Sequence, residues 1–199
     1  MLVNEEGRKL ITDAIAAAEK RSGVEIVFCE ASRSDDYERW LALPMFLATL
    51  ASALVLHGAL PTLATVWLLL LQLPLAALWW GLLHVPVVGR WVIPDVIEIE
   101  AVRRRAVTLF AEHALFETPC RIGVLVLLSA FERRVHILAD RGLNALISSE
   151  AWAADVEIIR QHIRVGTAAT GVCKVIDRIA ASVPYDDVNV PQNFLPDSL

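Results

Sequence analysis

The chain has 199 residues, 56% of which are hydrophobic, and a formal net charge of −5. This length suits one domain, or one domain with a membrane segment, and the mean hydropathy of +0.52 is high for a soluble protein. The acidic balance and the lack of a basic tract exclude nucleic acid as an expected partner. The polar first residues, MLVNEEGRKL, predict that no export signal is present.

The first predicted elements are a helix and a strand. Apolar residues recur at helical spacing over residues 5–21, and Gly23 is expected to end that helix. The stretch VEIVFCE, Val24–Glu30, is short and rich in β-branched residues, which predicts a strand. Asp35 and Asp36 follow it, and their carboxylates could bind a hard cation such as calcium or magnesium. A solvated polar turn is the alternative.

A block without any Asp, Glu, Lys or Arg then extends over residues 40–89. It contains two apolar stretches, Trp40–Leu60 and Thr62–His84, each about as long as the roughly 20 residues that a membrane-spanning helix needs. Gly58 and Pro61 mark the turn between them. The block predicts a transmembrane helical hairpin. The alternative is a hairpin buried in a soluble core, but fifty residues without a charge leave no polar face for solvent.

Basic residues predict the orientation of this hairpin. Because Lys and Arg remain in the cytoplasm, both flanks and both termini are expected there, with residues 56–62 outside an inner (plasma) membrane. The partner of the hairpin is therefore the lipid bilayer. The arginines that carry this orientation are Arg33 and Arg39 before the block and Arg90, Arg103, Arg104 and Arg105 after it. The last three could also attract anionic lipids, at about 1 kcal/mol each.

Helices and strands are predicted again after the hairpin. Val96–Phe116 has a helical stripe, whereas Arg121–Ser129 is almost continuously apolar, as in a strand covered on both faces. A tight turn leads to the strand Arg134–Ala139. Two helices follow, and we expect Ser149 to cap the first and Pro184 to end the second.

The order of these elements predicts the topology. A helical crossover makes the first two strands parallel, and the tight turn makes the third antiparallel. Residues 1–39 and 96–183 are expected to form one domain, interrupted by the hairpin at 40–89 and followed by a tail at 184–199. Ser34, Asp35 and Asp36 should then share one end of the sheet with the turn at residues 132–134, and Asp140 should lie at the opposite end.

The turn after the third strand holds further candidate ligand residues, Asp140, Arg141 and Gly142. Asp140 could bind a metal ion, but Asp is also a common helix N-cap, which is the stronger local explanation. Arg141 could hold a phosphate or carboxylate through two parallel hydrogen bonds. No cysteine-phosphatase signature accompanies them, because Cys173 and Arg178 are separated by four residues rather than five and lie in a predicted helix.

Three stretches resemble the TPM domain family: SGVEIVF at Ser22–Phe28, RIGVLVLLSAFERRVHILADRGL at Arg121–Leu143, and NFLPD at Asn193–Asp197. The match covers residues 3–39 and 96–183. The resemblance implies an α/β class fold, an α/β/α sandwich with a small mixed sheet, here interrupted by a transmembrane helical hairpin. The usual Gly-aromatic-Gly turn of the family is replaced here by Ala139-Asp140-Arg141-Gly142.

The resemblance also leaves several functions open. Some members of the family are acid phosphatases and some bind calcium, while most have no established activity. Our first hypothesis is a binding or scaffold module that acts on a membrane protein complex. The alternatives are a phosphatase dependent on calcium or magnesium, with Asp35, Asp36 and Asp140 as metal ligands, and a calcium-binding regulator. The sequence does not identify catalytic residues.

Overall fold

The computed structural model describes residues 2–62, 64–118 and 121–183. Contacts divide the chain into two compact units. The first, called the α/β unit, contains the described residues of 1–34 and 99–199. The second, called the hairpin unit, contains those of 35–98. The predicted tail, with Pro184, lies outside the described residues.

The described residues are mostly helical, with one small sheet. In chain order the elements are α1 (Glu5–Ser22), β1 (Glu25–Ala31), α2 (Glu38–Ala59), α3 (Thr65–His84), α4 (Pro86–Val92), α5 (Asp95–Glu112), a short 3-10 helix (Leu115–Glu117), β2 (Gly123–Ser129), β3 (Arg134–Ala139), α6 (Arg141–Leu146), α7 (Ser149–Arg164) and α8 (Ala168–Ser182).

The sheet is mixed and has three strands in the order β1-β2-β3. The pairing of β1 with β2 is parallel, with Ala31 opposite Ser129 at its end. The pairing of β2 with β3 is antiparallel, with Ser129 opposite Arg134. Both directions were predicted, and both are confirmed. Every residue of the central strand β2 is buried, which agrees with its continuous apolar sequence.

Alternate residues of the strands face two separate apolar clusters. On one face, Phe28 and Val126 pack with residues of α1, α7 and α8, such as Ile176. On the other face, Leu125 and Leu127 pack with α5 and the 3-10 helix; the helical residues of this cluster are Val102, Ala106, Leu109 and Leu115. Helices thus cover both faces of the sheet. Only the ends of the strands and the loops that follow them are left for polar side chains.

Local signals account for the ends of the helices. Asn4 caps α1 by accepting a hydrogen bond from the Gly7 amide at 2.9 Å, and Gly23 ends it at a φ of 66°. The prediction that Ser149 caps α7 was wrong by one residue. Ser148 is the N-cap and accepts a hydrogen bond from the Ala151 amide, because its backbone is extended and Ser149 is already helical.

The hairpin unit contains the two apolar helices α2 and α3, of 22 and 20 residues. Both are long and apolar enough to cross a membrane. Only 6% of an apolar 18-residue stretch in each helix is buried. Trp79 Nε1 of α3 donates a hydrogen bond to Ser52 Oγ of α2 at 2.9 Å. Pro44 and Pro74 lie inside the helices, as expected.

Two of the helices, α4 and α6, are short, and of these only α4 was not predicted. Pro86 occupies the first turn of α4, where its missing amide hydrogen carries no cost. Asp140 caps α6, as the local sequence favoured, and α6 ends at Leu146, two residues before the N-cap of α7 at Ser148. The predicted helix at residues 96–116 is divided by Ala114, which has a φ of 51°, into α5 and the 3-10 helix.

Candidate functional site

Polar side chains meet where the parallel strands β1 and β2 end. Ser129 is the last residue of β2, Ser34 follows β1 after three residues, and Glu132 lies in the turn between β2 and β3. Ligands of open α/β sheets are commonly bound outside the carboxyl ends of parallel strands, because the loops there converge. We call Ser34, Ser129 and Glu132 the strand-end cluster.

The strand-end cluster is a continuous hydrogen-bonded chain. The Ser34 amide donates to Glu132 Oε1 at 2.9 Å, and Ser34 Oγ lies 2.7 Å from Ser129 Oγ. The Ser129 hydroxyl donates to Glu132 Oε2. Because Ser129 gives its only hydroxyl proton to Glu132, the Ser34 hydroxyl must be the donor toward Ser129. Glu132 is 1% exposed and Ser129 is fully buried, whereas Ser34 is half-buried.

The backbone around the cluster is held by the sheet. The Ala130 amide donates to the Ala31 carbonyl at 2.9 Å, and the Phe131 amide donates to the Ser32 carbonyl at 3.0 Å. These bonds extend the pairing of the two strands beyond their ends. Arg133 follows at a φ of 52°, in the left-handed region that a non-glycine residue rarely occupies.

A guanidinium group lies in the loop beside this cluster. Arg33 Cζ is 4.3 Å from the centre of the Phe131 ring, a distance suited to a cation–π contact. The loop thus combines a fixed arginine with a hydroxyl polarised toward a buried carboxylate. This arrangement can bind an anionic or carbonyl group. Transfer of a proton from Ser34 toward Glu132 would also make Ser34 Oγ a nucleophile.

Asp140 lies at the other end of the sheet. Its amide donates to the carbonyl of Gly123, the first residue of β2, at 2.9 Å. Asp140 Oδ1 accepts a hydrogen bond from the Arg141 amide at 2.7 Å, so Asp140 is the N-cap of α6, as the local sequence favoured. Asp140 Oδ2 is 3.2 Å from Arg121 Nε. The exposed Arg141 and the half-buried Gly142 form the first turn of α6.

Asp140 is poorly placed to bind a cation. The Arg121 guanidinium already neutralises its carboxylate, and a metal ion would have to displace this charge of the same sign. Asp35 and Asp36 are adjacent and exposed just before α2, and the Asp36 amide donates to Asp35 Oδ1 at 2.8 Å. Across residues 2–62, 64–118 and 121–183, no three His, Cys, Asp or Glu side chains are grouped as a metal site.

The arginines that predict orientation have different surroundings. Arg39 is exposed in the first turn of α2, and Arg90 Nε of α4 is 3.7 Å from the buried Glu98. Arg103 donates two hydrogen bonds, at 2.9 and 2.8 Å, to the Glu100 carboxylate. The remaining two, Arg104 and Arg105, are exposed on α5.

A cysteine–histidine pair is buried elsewhere in the α/β unit. Cys29 Sγ is 3.8 Å from His113 Nε2, and both residues lie beneath the surface. Burial raises the pKa of the Cys29 thiol, which outweighs the opposing charge of Arg105. A thiol held in its neutral form in a closed interior is a weak nucleophile, so this pair serves packing rather than catalysis.

The sequence signalled the place of the strand-end cluster but not its contacts. The parallel pairing predicted that Ser34 and the turn at residues 132–134 share one end of the sheet. The hydroxyl chain through Ser129 was missed because Ser129 ends an apolar strand and resembles an ordinary strand terminus. A serine at the end of one parallel strand and another just beyond its neighbour is the signal that could have found it.

Comparisons with known proteins give a likeness of fold. No family model matches this chain. No curated protein matches it. The chain is similar to a solved structure described as the NMR structure of BA42 protein from the psychrophilic bacterium Bizionia argentinensis sp. nov.. The TM-score is 0.58 at 17% identity, covering 98% of this chain and 94% of the other, so the likeness concerns the fold alone.

Proposed function

We propose that this chain is an integral membrane protein whose helices α2 and α3 cross an inner (plasma) membrane as a hairpin. The observation that carries this proposal is the exposure of two long apolar helices, in each of which only 6% of an apolar 18-residue stretch is buried. At about 1.5 Å per residue, 22 residues reach about 33 Å, which matches a hydrocarbon core of about 30 Å. A soluble protein would leave this large apolar surface in water.

Both termini are proposed to be cytoplasmic. The segment between α2 and α3 carries no Lys or Arg, whereas arginines flank the hairpin on both sides. Positive charges are retained on the cytoplasmic side during insertion, which supports this orientation.

The α/β unit is proposed to be a TPM-like domain, an α/β/α sandwich interrupted by the hairpin. Two observations support this. Helices cover both faces of its three-stranded sheet. Residues before and after the hairpin unit belong to the same compact unit. The family name itself rests on the resemblance of the sequence motifs.

The proposed role of this unit is that of a binding or scaffold module acting on a membrane protein complex. The strand-end cluster supports a binding role, because the half-buried Ser34 is fixed by hydrogen bonds to the buried Ser129 and Glu132 before any ligand arrives. Arg33, held over Phe131, adds a positive charge suited to an anionic group on the partner.

A phosphatase, dependent on calcium or magnesium, is the second candidate, and a calcium-binding regulator without turnover is the third. The hydroxyl chain from Ser34 to Glu132 favours hydrolysis, because it could remove the proton of an attacking serine. The Arg121–Asp140 ion pair weakens the cation-dependent form, since Asp140 is one of its three proposed ligands.

One experiment separates these roles. The purified full chain in detergent is incubated with p-nitrophenyl phosphate, with and without calcium or magnesium. If the chain is a binding module, p-nitrophenyl phosphate is hydrolysed no faster than in buffer without protein. Turnover that is lost in Ser34→Ala and Glu132→Gln, while both variants remain folded at the assay temperature, would overturn the binding proposal and establish a hydrolase. Exposed Ser149→Ala is the control variant.

Membrane insertion is tested independently. Membranes from a bacterial expression host are washed at alkaline pH, which releases peripheral proteins but not spanning ones. We expect the full chain to remain in the membrane pellet. Its release into the supernatant would overturn the proposed spanning of the bilayer, whatever the enzyme assay shows.

A further inference from the structure

A cavity of about 240 Å³ opens in the hairpin unit where α2 begins and α3 ends. Four of its lining residues are apolar and aliphatic: Leu41, Ala42, Met45 and Leu83. Three residues with polar or aromatic groups line it as well: Glu38, Trp80 and His84. Neither the family resemblance nor the likeness of fold assigns a ligand to this cavity.

A contact of His84 shows which of its ring nitrogens is the hydrogen-bond donor. His84 Nδ1 lies 2.8 Å from the carbonyl oxygen of Trp80. A carbonyl oxygen only accepts hydrogen bonds, so Nδ1 must carry the hydrogen. In the neutral ring, Nε2 is then a hydrogen-bond acceptor. The two rings are 4.3 Å apart, which fixes the imidazole against the indole.

The other two groups also favour a cation. Glu38 is exposed at the first position of α2, where its carboxylate is stabilised by the helix dipole. Trp80 is 57% exposed, and an indole face attracts a positive charge. Glu38, His84 and Trp80 thus place a carboxylate, an imidazole and an indole ring in the lining of one cavity.

These acceptors discriminate between kinds of cation. A primary ammonium group has three N–H donors, which match the Glu38 carboxylate and the His84 nitrogen as hydrogen-bond acceptors. A trimethylammonium group has no N–H donor. It would keep only its attraction to the Glu38 charge and to the Trp80 ring. An anionic headgroup would face the Glu38 carboxylate. The cavity therefore fits a primary ammonium better than either alternative.

We propose that this cavity binds the primary ammonium headgroup of a phospholipid such as phosphatidylethanolamine, with the apolar lining residues contacting the lipid carbons next to the headgroup. This inference rests on the proposed function, because it requires the hairpin to lie in a bilayer. There, the ends of spanning helices lie at the level of the headgroups, and tryptophans favour that level. The ligand comes with the membrane and needs no separate soluble source.

The test is native mass spectrometry of the full chain in detergent, with phosphatidylethanolamine, phosphatidylcholine or phosphatidylglycerol of identical acyl chains. We expect phosphatidylethanolamine to bind about tenfold more tightly than phosphatidylcholine, as for one hydrogen bond to a charged group. Glu38→Gln and Trp80→Leu should lose this preference. Trp67→Leu is the matched control, because Trp67 is also exposed on α3, at 64% against 57% for Trp80, but does not line the cavity.

Several results would overturn the proposal. One is equal binding of the three lipids, and another is an unchanged preference in Glu38→Gln. Binding of free ethanolamine as tightly as the lipid would show a soluble amine site instead. The alkaline wash keeps this failure distinct from that of membrane insertion, since a chain that remains in the pellet but shows no lipid preference contradicts only the headgroup site.

Discussion

Ser34 Oγ lies 2.7 Å from Ser129 Oγ, although the two residues are 95 positions apart in the chain. This contact joins the loop after β1 to the end of β2, and Glu132 holds both serines through its two carboxylate oxygens. A buried carboxylate needs such partners, because losing a donor leaves charge without compensation. The strand-end cluster is thus also a structural tie between sequence segments on either side of the hairpin unit.

Ser129→Ala tests that tie. The substitution removes the donor to Glu132 Oε2, and we expect the free energy of unfolding to fall by about 1–3 kcal/mol. Denaturant unfolding of the full chain in detergent measures this. Ser149→Ala, at an exposed position, should change it by less than about 0.5 kcal/mol. Equal stability of both variants would show that the cluster contributes nothing to folding.

Gly171→Ala should destabilise the chain, although alanine normally stabilises a helix by about 1 kcal/mol relative to glycine. A Cβ atom at Gly171 would lie 2.6 Å from His162 Cβ, so α8 would have to move away from α7. We expect the free energy of unfolding to fall by about 1–3 kcal/mol from overpacking. Denaturant unfolding in detergent measures this loss.

The control for Gly171→Ala is Thr170→Ala at the exposed neighbouring position of α8. There, the substitution only removes atoms from an exposed side chain, and helix propensity alone should raise the free energy of unfolding by up to about 0.7 kcal/mol. The two changes to alanine should therefore act in opposite directions. A stabilised Gly171→Ala variant would contradict the close packing of α7 and α8.

His136 should make stability depend on pH. Its burial, together with the charge of Arg103, lowers its pKa below the usual 6.5. Between the lowered pKa and 6.5, the unfolded chain binds a proton that the folded chain does not. The free energy of unfolding should therefore fall as the pH is lowered through 6.5. In His136→Gln this contribution should disappear, as unfolding curves between pH 7.5 and 5 would reveal. An identical pH dependence in both proteins would refute the assignment.

Asp140 distinguishes a helix cap from a metal ligand. Asp140→Ala removes the cap of α6 and the ion pair with Arg121, and should cost about 1–2 kcal/mol. Asp140→Asn keeps a capping oxygen and should cost less. Millimolar calcium or magnesium should leave the melting temperature of the unaltered chain unchanged. A rise in that temperature that is absent in Asp140→Asn would favour the cation-dependent alternative.

The topology of the sheet could be predicted because its strands are short apolar runs separated by recognisable connections. The ends of the elements could not be predicted as well. Arg121 was expected to begin β2, yet it has a φ of 59° and pairs with Asp140, and the strand begins at Gly123. A Cβ at Gly123 would lie 2.6 Å from the Leu115 carbonyl oxygen, so tertiary packing requires glycine there.

The candidate site was likewise predictable in its place but not in its contacts. The parallel strands predicted which loops meet, whereas the side-chain contacts depend on the left-handed backbone of Arg133, which no local residue preference indicates. The hairpin cavity was also unpredictable. Its lining depends on how α2 faces α3, and two helices that are apolar on all sides carry no stripe that specifies this.

The most direct test of the central claim is labelling of single cysteines in intact cells of a bacterial host. In a background lacking Cys29, Cys120 and Cys173, one cysteine replaces exposed His57 near the end of α2 and another replaces exposed Ser149 in α7. A membrane-spanning hairpin with cytoplasmic termini predicts that a membrane-impermeant maleimide labels His57→Cys in intact cells, and Ser149→Cys only after permeabilisation. Labelling of both positions only after permeabilisation would contradict it.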